Sequence, residues 1–236
     1  MQFTTKHNLA VDLQITFKTD IINTTKCTNF LGLNLDSTLS WKLHIEKLSS
    51  KLNSTCYLIR SLRSITSEKN LRTIYFSFAH SIMMYGIIFW GSSPHWVNIF
   101  KLQKRIIRTM MNINNRVSCR ELFKKLNILP LQSQYILSLV LFVVKNINEF
   151  KRNFDVHSIN TRHKADLFPP TSSLSKYHKG VYYSGIKIFN HLPQHIKQLS
   201  CNIKKFKSAL KRFLLRGSFY TLEEYYDWNL MSDLGA

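Results

Sequence analysis

Acidic residues are scarce in this chain: 13 Asp and Glu among 236 residues, against 33 Lys and Arg, for a formal net charge of +20. A folded surface that positive repels itself unless a polyanion shares it. Nucleic acid is the usual partner, and anionic lipid is the second choice. Long apolar runs are missing too. The nearest, Tyr135 to Val144, is interrupted by Ser138 and falls short of the ~18 residues that mark a transmembrane helix. The opening MQFTTKHNLAVDLQ lacks the basic-then-apolar layout of a signal peptide. The expectation is an intracellular protein of nucleus or cytoplasm, neither secreted nor stably inserted in a membrane. Cys27, Cys56, Cys119 and Cys201 lie 29, 63 and 82 residues apart, too scattered for a disulfide framework or a paired-Cys zinc site. A hydrophobic content of 44% with 16 Phe excludes a disordered basic tail.

Catalytic signatures are also lacking. No Walker loop, GxSxG elbow, HExxH or GxGxxG occurs. Two-metal phosphoryl transfer needs carboxylates that hold both ions ~4 Å apart. No two Asp are adjacent, and Asp12, Asp20 and Asp36 have no companion pair. Asp36 is better suited to support the turn into the first helix. His191 and His195, with Cys201 six residues on, make a zinc site conceivable, but Pro193 separates the histidines and no fourth ligand follows. The chain alone is expected to hold no metal or cofactor and to lack a polymerase or nuclease centre.

Periodicity organises what is present. Val11, Leu13, Ile15 and Phe17 alternate with polar residues as in a half-buried strand. Phe30 to Asp36 reads as a second strand, in which Gly32 marks a bulge or a close backbone approach. From Trp41 the period turns helical. Ser40 is the candidate cap, and the stripe runs through Ile45, Leu48, Leu52, Tyr57 and Ile59. A second helix follows Ser67 and runs to Trp90, its last part apolar nearly all round. A third runs from about His95 to Met111, introduced by Ser93 and Pro94. Ser118 to Glu121 and Thr221 to Glu224 are capping-box patterns, and Leu131 to Phe150 reads as a long buried helix. Residues 151–180 break the pattern, and Val181 to Leu192 looks strand-like or mixed. The fold class expected is mainly α: a helical bundle with a small N-terminal antiparallel β element (1–36), a helical domain (37–150) and a basic, mixed α+β C-terminal region (151–236) with an amphipathic helix over 202–215.

The charge concentrates late. Residues 151–220 hold 14 basic and two acidic side chains, while 221–236 hold four acids and no base. Two helical faces collect it: Lys101, Lys104, Arg105 and Arg108 on the third helix, and Lys204, Lys205, Lys207, Lys211 and Arg212 on the late one. Each has an apolar back, so the charges can track phosphates without reading sequence. Tyr57, Tyr85, Tyr182 and Tyr183 could stack on bases, although a core position is the commoner fate of a helical tyrosine. The late helix equally fits a membrane-surface or calmodulin-target pattern.

Several segments, in order, resemble a known family. Phe30-Leu31-Gly32-Leu33-Asn34-Leu35-Asp36, then Leu39-Ser40-Trp41 and His44-Ile45, is similar to the segment after the catalytic motifs in reverse transcriptases of jockey-like non-LTR retrotransposons. Tyr85 to Gly91, Leu102-Gln103-Lys104 with Ile107-Arg108, and Cys119-Arg120 with Leu122 to Leu126 resemble the family's thumb and the helices beyond it. His157-Ser158 with Asn160-Thr161-Arg162, and Tyr182 through Pro193, resemble its C-terminal end. Asn29 stands where the family commonly has Lys, and no Cys/His knuckle follows the thumb. The resemblance implies a thumb-like bundle, a primer-grip strand pair at Gly32 and a nucleic-acid contact at Arg162. The palm aspartates and their Mg²⁺ would lie upstream of Met1. It also implies sequence-independent binding of RNA, DNA or an RNA–DNA hybrid without catalysis, and a missing upstream polymerase region as a further partner. The alternative is a relic or adopted basic helical module that binds a protein or an anionic membrane surface.

Overall fold

The computed structural model describes residues 1–4, 14–157 and 163–232. Among them the chain is mainly helical, with a small antiparallel β element near the N-terminus. Four strands form two separate hairpins: β1 (Ile15–Phe17) with β2 (Asp20–Ile22), and β3 (Cys27–Phe30) with β4 (Leu33–Asp36). Val11 and Leu13 of the expected first strand lie outside the described residues.

The expected second strand is instead a hairpin. Phe30 pairs with Leu33, so Leu31 and Gly32 form a two-residue loop, with φ of 47° and 78°. Positive φ at both central residues is the type I′ signature, whose twist matches the flanking strands. Gly32 is therefore a turn residue and not a bulge within a strand.

Asp36 then builds the turn into α1 (Lys42–Leu62). Its carboxylate accepts from the backbone N–H groups of Thr38, Ser40 and Trp41 and from the hydroxyls of Thr38 and Ser40. Burial alone would raise its pKa, but the hydrogen bonds from Ser40 and Thr38 outweigh that and hold it below the usual carboxylate range. The expected N-cap shifts by one residue to Trp41, which is left-handed at φ 62°. Ile45, Leu48, Leu52, Cys56 and Ile59 are buried along one stripe of α1. Tyr57 is 72% exposed, because it follows Cys56 and so lies ~100° off the stripe.

The second helix is broken where a continuous one was expected. α2 (Glu68–Ile74) is capped by Ser67 and runs through a π-helical turn (Tyr75–His80) into α3 (Ser81–Met84). Tyr85 then turns extended and Gly86 left-handed before α4 (Ile87–Trp90). A Cβ on Gly86 would stand 2.7 Å from Leu33 Cδ2, so the hairpin packs into the space a side chain would need. The apolar run from Ile82 to Trp90 is not buried all round: Met83, Ile87 and Trp90 are buried, whereas Tyr85 and Phe89 are exposed.

α5 (Trp96–Met111) follows Ser93, whose hydroxyl accepts from His95 N–H at 3.2 Å. The capping box expected at α6 (Arg120–Lys125) does not form. Ser118 accepts from Arg120 N–H, and Glu121 pairs with Lys124. α7 (Leu131–Lys145) ends before Phe150. The next stretch holds the short α8 (Asn153–Val156) and α9 (Ser175–His178) and one isolated bridge, Arg152 to Leu167. Val181–Asn190 is helical (α10), against the expectation of strand-like structure. Local β preference of Val and Tyr yields here to packing: Gly185 seats α10 on α7, where a Cβ would meet Val143 at 2.8 Å. α11 (Gln194–Lys197), α12 (Ile203–Gly217) and α13 (Leu222–Ser232) complete the described chain.

One hydrophobic core extends from Ile45 to Tyr225 and is shared by residues on both sides of position 150. α7 lies at its centre against α10 and α12, and α1 packs along α5. No helix among the described residues is long and apolar enough to cross a membrane.

Candidate nucleic-acid interface

The β3–β4 hairpin, α1 and α3 enclose a cleft of about 450 Å³. Helical spacing places His44, Lys47, Leu48 and Lys51 on one face of α1, and all four line it. Asn29, Gly32 and Asn34 close it from the hairpin, and Ser81, Ile82 and Tyr85 form the opposite wall. Among the described residues no carboxylate lines it, so two ammonium groups stand at the cleft without a counter-charge in its walls.

Asn34 ties the hairpin to α1. Its backbone N–H donates to His44 Nδ1 at 3.5 Å, and its Oδ1 accepts from Lys47 Nζ at 2.5 Å. His44 is buried, with its ring centroid 6.0 Å from that of Trp41 and 6.2 Å from that of Trp90. Burial first, then the charges of Lys51 and Lys47, lower its pKa, and the neutral ring with Nδ1 as acceptor carries its proton on Nε2. Asn29 Oδ1 accepts from Gly32 N–H at 3.0 Å and shapes the turn. Tyr85 reaches across to donate its hydroxyl to the Leu31 carbonyl. Its ring lies against the backbone of Gly32, where a Cβ would sit 3.3 Å away.

The residues singled out from the sequence have separate fates. Gly32 is at the cleft. On α5, Lys101 and Arg105 are exposed. Lys104 lies 4.5 Å over the Phe100 ring and 5.6 Å over Tyr220. Arg108 donates twice to the Val117 carbonyl, at 3.1 and 2.9 Å. The α5 face is thus half solvent-facing and half structural. On α12, Lys204, Lys205, Lys207 and Arg212 are exposed and Lys211 is half-buried, with its charge acting on His80. Asn202 caps this helix by accepting from Lys205 N–H at 3.1 Å. Arg162 lies outside the described residues.

Tyr182 stacks on Phe150 and Tyr183 on His178. His191 Nε2 lies 2.7 Å from the Tyr226 carbonyl oxygen, and no group of three His, Cys, Asp or Glu among the described residues is placed to hold a metal ion.

Sequence reasoning missed Lys47 and Lys51. The available signal was their spacing of four on a helix beginning just after the Gly32 segment. No family model, curated protein or solved structure matches the chain.

Proposed function

We propose that this chain is a sequence-independent nucleic-acid-binding segment, corresponding to the thumb and C-terminal part of a non-LTR retrotransposon reverse transcriptase. The observation that carries the binding role is the cleft between hairpin and α1, where Lys47 and Lys51 stand with no carboxylate among the described lining residues in a chain of net charge +20. Ammonium groups so placed attract phosphates and release condensed counterions. The exposed cations of α12 and of Lys101 and Arg105 extend the positive surface. The ordered segments from Phe30 to Pro193 support the family assignment. Asp36 directs its carboxylate at the turn before α1, so this reading gives the chain no catalytic step of its own.

The test is fluorescence anisotropy with a labelled RNA–DNA hybrid across a salt series. Reversing Lys47 and Lys51 to Glu should lower affinity for unrelated sequences alike. The log–log salt slope should fall by about 0.7–0.9 for each phosphate no longer neutralised. An unchanged slope overturns the cleft as the interface. Binding to anionic vesicles but not to the hybrid would transfer the basic surface to the membrane reading.

A further inference from the structure

Resting on the nucleic-acid reading, we infer that the cleft accepts an unpaired nucleotide, its phosphate at Lys47 and Lys51 and its base against the wall that carries Tyr85. The two walls differ in chemistry. The α1 side offers ammonium groups; the opposite side carries Ser81, Ile82 and the aromatic ring of Tyr85. The Tyr85 ring is 53% exposed, so part of it stands open to a ligand in the cleft. Tyr85 is also held in place. Its hydroxyl donates to the Leu31 carbonyl and one part of its ring rests on Gly32, so little side-chain freedom remains to be lost when a base stacks on it. The cleft volume of about 450 Å³ lies within the ~300–1,000 Å³ of small-ligand pockets.

A ring beside two cations suits a ligand that joins an anion to a flat π-face, and a single-stranded nucleotide is that ligand. A paired duplex offers phosphates but keeps its base faces stacked inside. An anionic lipid headgroup lacks the π-face.

The test compares labelled oligothymidylate with an abasic strand of equal length and charge, binding to the full chain. The abasic strand should bind roughly tenfold more weakly, as loss of one base–aromatic stack implies. Tyr85→Phe, which keeps the ring and loses the hydroxyl, should retain the preference. Tyr85→Leu should abolish it while leaving the salt slope unchanged. Equal binding of the two strands by the wild-type chain overturns this inference, and salt-dependent binding of both would leave the broader nucleic-acid reading standing. A full preference surviving in Tyr85→Leu overturns it as well. Failure of both strands to bind overturns the inference, while the titration with the RNA–DNA hybrid decides the nucleic-acid reading separately. Should Tyr85→Leu not fold, the Lys47→Glu, Lys51→Glu double variant replaces it, and a full preference for oligothymidylate surviving there overturns the inference, because the base then stacks away from the cleft.

Discussion

Gly32 combines two demands in one position. Its φ of 78° suits glycine, and its missing Cβ leaves room for the Tyr85 ring. Gly32→Val should therefore destabilise the fold by about 1–2 kcal/mol, the usual cost of left-handed backbone for an L residue. Gly32→Asn should cost less, since Asn tolerates that region. Thermal denaturation of both variants checks the order. His44 and Asp36 make the same region sensitive to acid. The His44 pKa is lowered in the fold, so its contribution is complete above the unfolded value of about 6.5 and declines as the pH falls toward the folded value. Asp36 is also lowered; its contribution is present above about 3.9 and is lost as the pH falls through the folded value. Urea titrations at neutral and mildly acidic pH should show lower stability in acid for the wild-type chain. His44→Gln should reduce that difference, and an equal difference in the variant would remove His44 as its source.

Among the elements, α5 and α12 look alike in sequence and differ in the fold. Both have an apolar back and a cationic front, yet α5 commits Lys104 to the rings of Phe100 and Tyr220 and Arg108 to the Val117 carbonyl. Lys104→Ala should lower stability by about 0.5–1 kcal/mol, because the cation no longer sits over those two rings. Reversing Lys204, Lys205 and Lys207 to Glu should leave the melting temperature nearly unchanged and flatten the salt dependence of nucleic-acid binding. Denaturation and anisotropy measured on the same two variants separate the roles. The helices with strong periodicity were legible in advance: the buried stripe of α1 apart from Tyr57, the apolar back of α12 and the helix start after Ser67 all follow from spacing and residue type. The hairpin loop at Leu31 and Gly32, the break at Gly86 and the helicity of α10 were not. Each depends on a partner distant in sequence: Tyr85 against Gly32, Leu33 against Gly86 and Val143 against Gly185. Periodicity along one segment carries no record of such pairings. The cleft was half legible, since Gly32 stood out by type while Lys47 and Lys51 gained meaning only when the hairpin folded over α1.

The whole molecule is unified by its core. Trp90 is fully buried and donates its indole N–H to the Tyr85 carbonyl at 3.0 Å. Trp90→Ala should cost about 3–5 kcal/mol. Because described residues on both sides of position 150 share that core, from Ile45 to Tyr225, far-UV circular dichroism and tryptophan fluorescence should report one coincident unfolding transition; separate midpoints would mean two independent units. The last part of this core has a further consequence. Phe219 and Tyr225 are buried, Ser133 donates to the Phe219 carbonyl and Tyr225 to that of Ile188. Arg120 lies over the Tyr220 ring and pairs with Glu224 at 3.0 Å. During synthesis, then, α7 emerges from the ribosome with α4 and α5 already made but with the surface that α10 and α12 cover still open. Closure waits until the Phe219–Tyr225 segment has cleared the exit tunnel, so a nascent chain stalled before it is the form chaperones should hold longest.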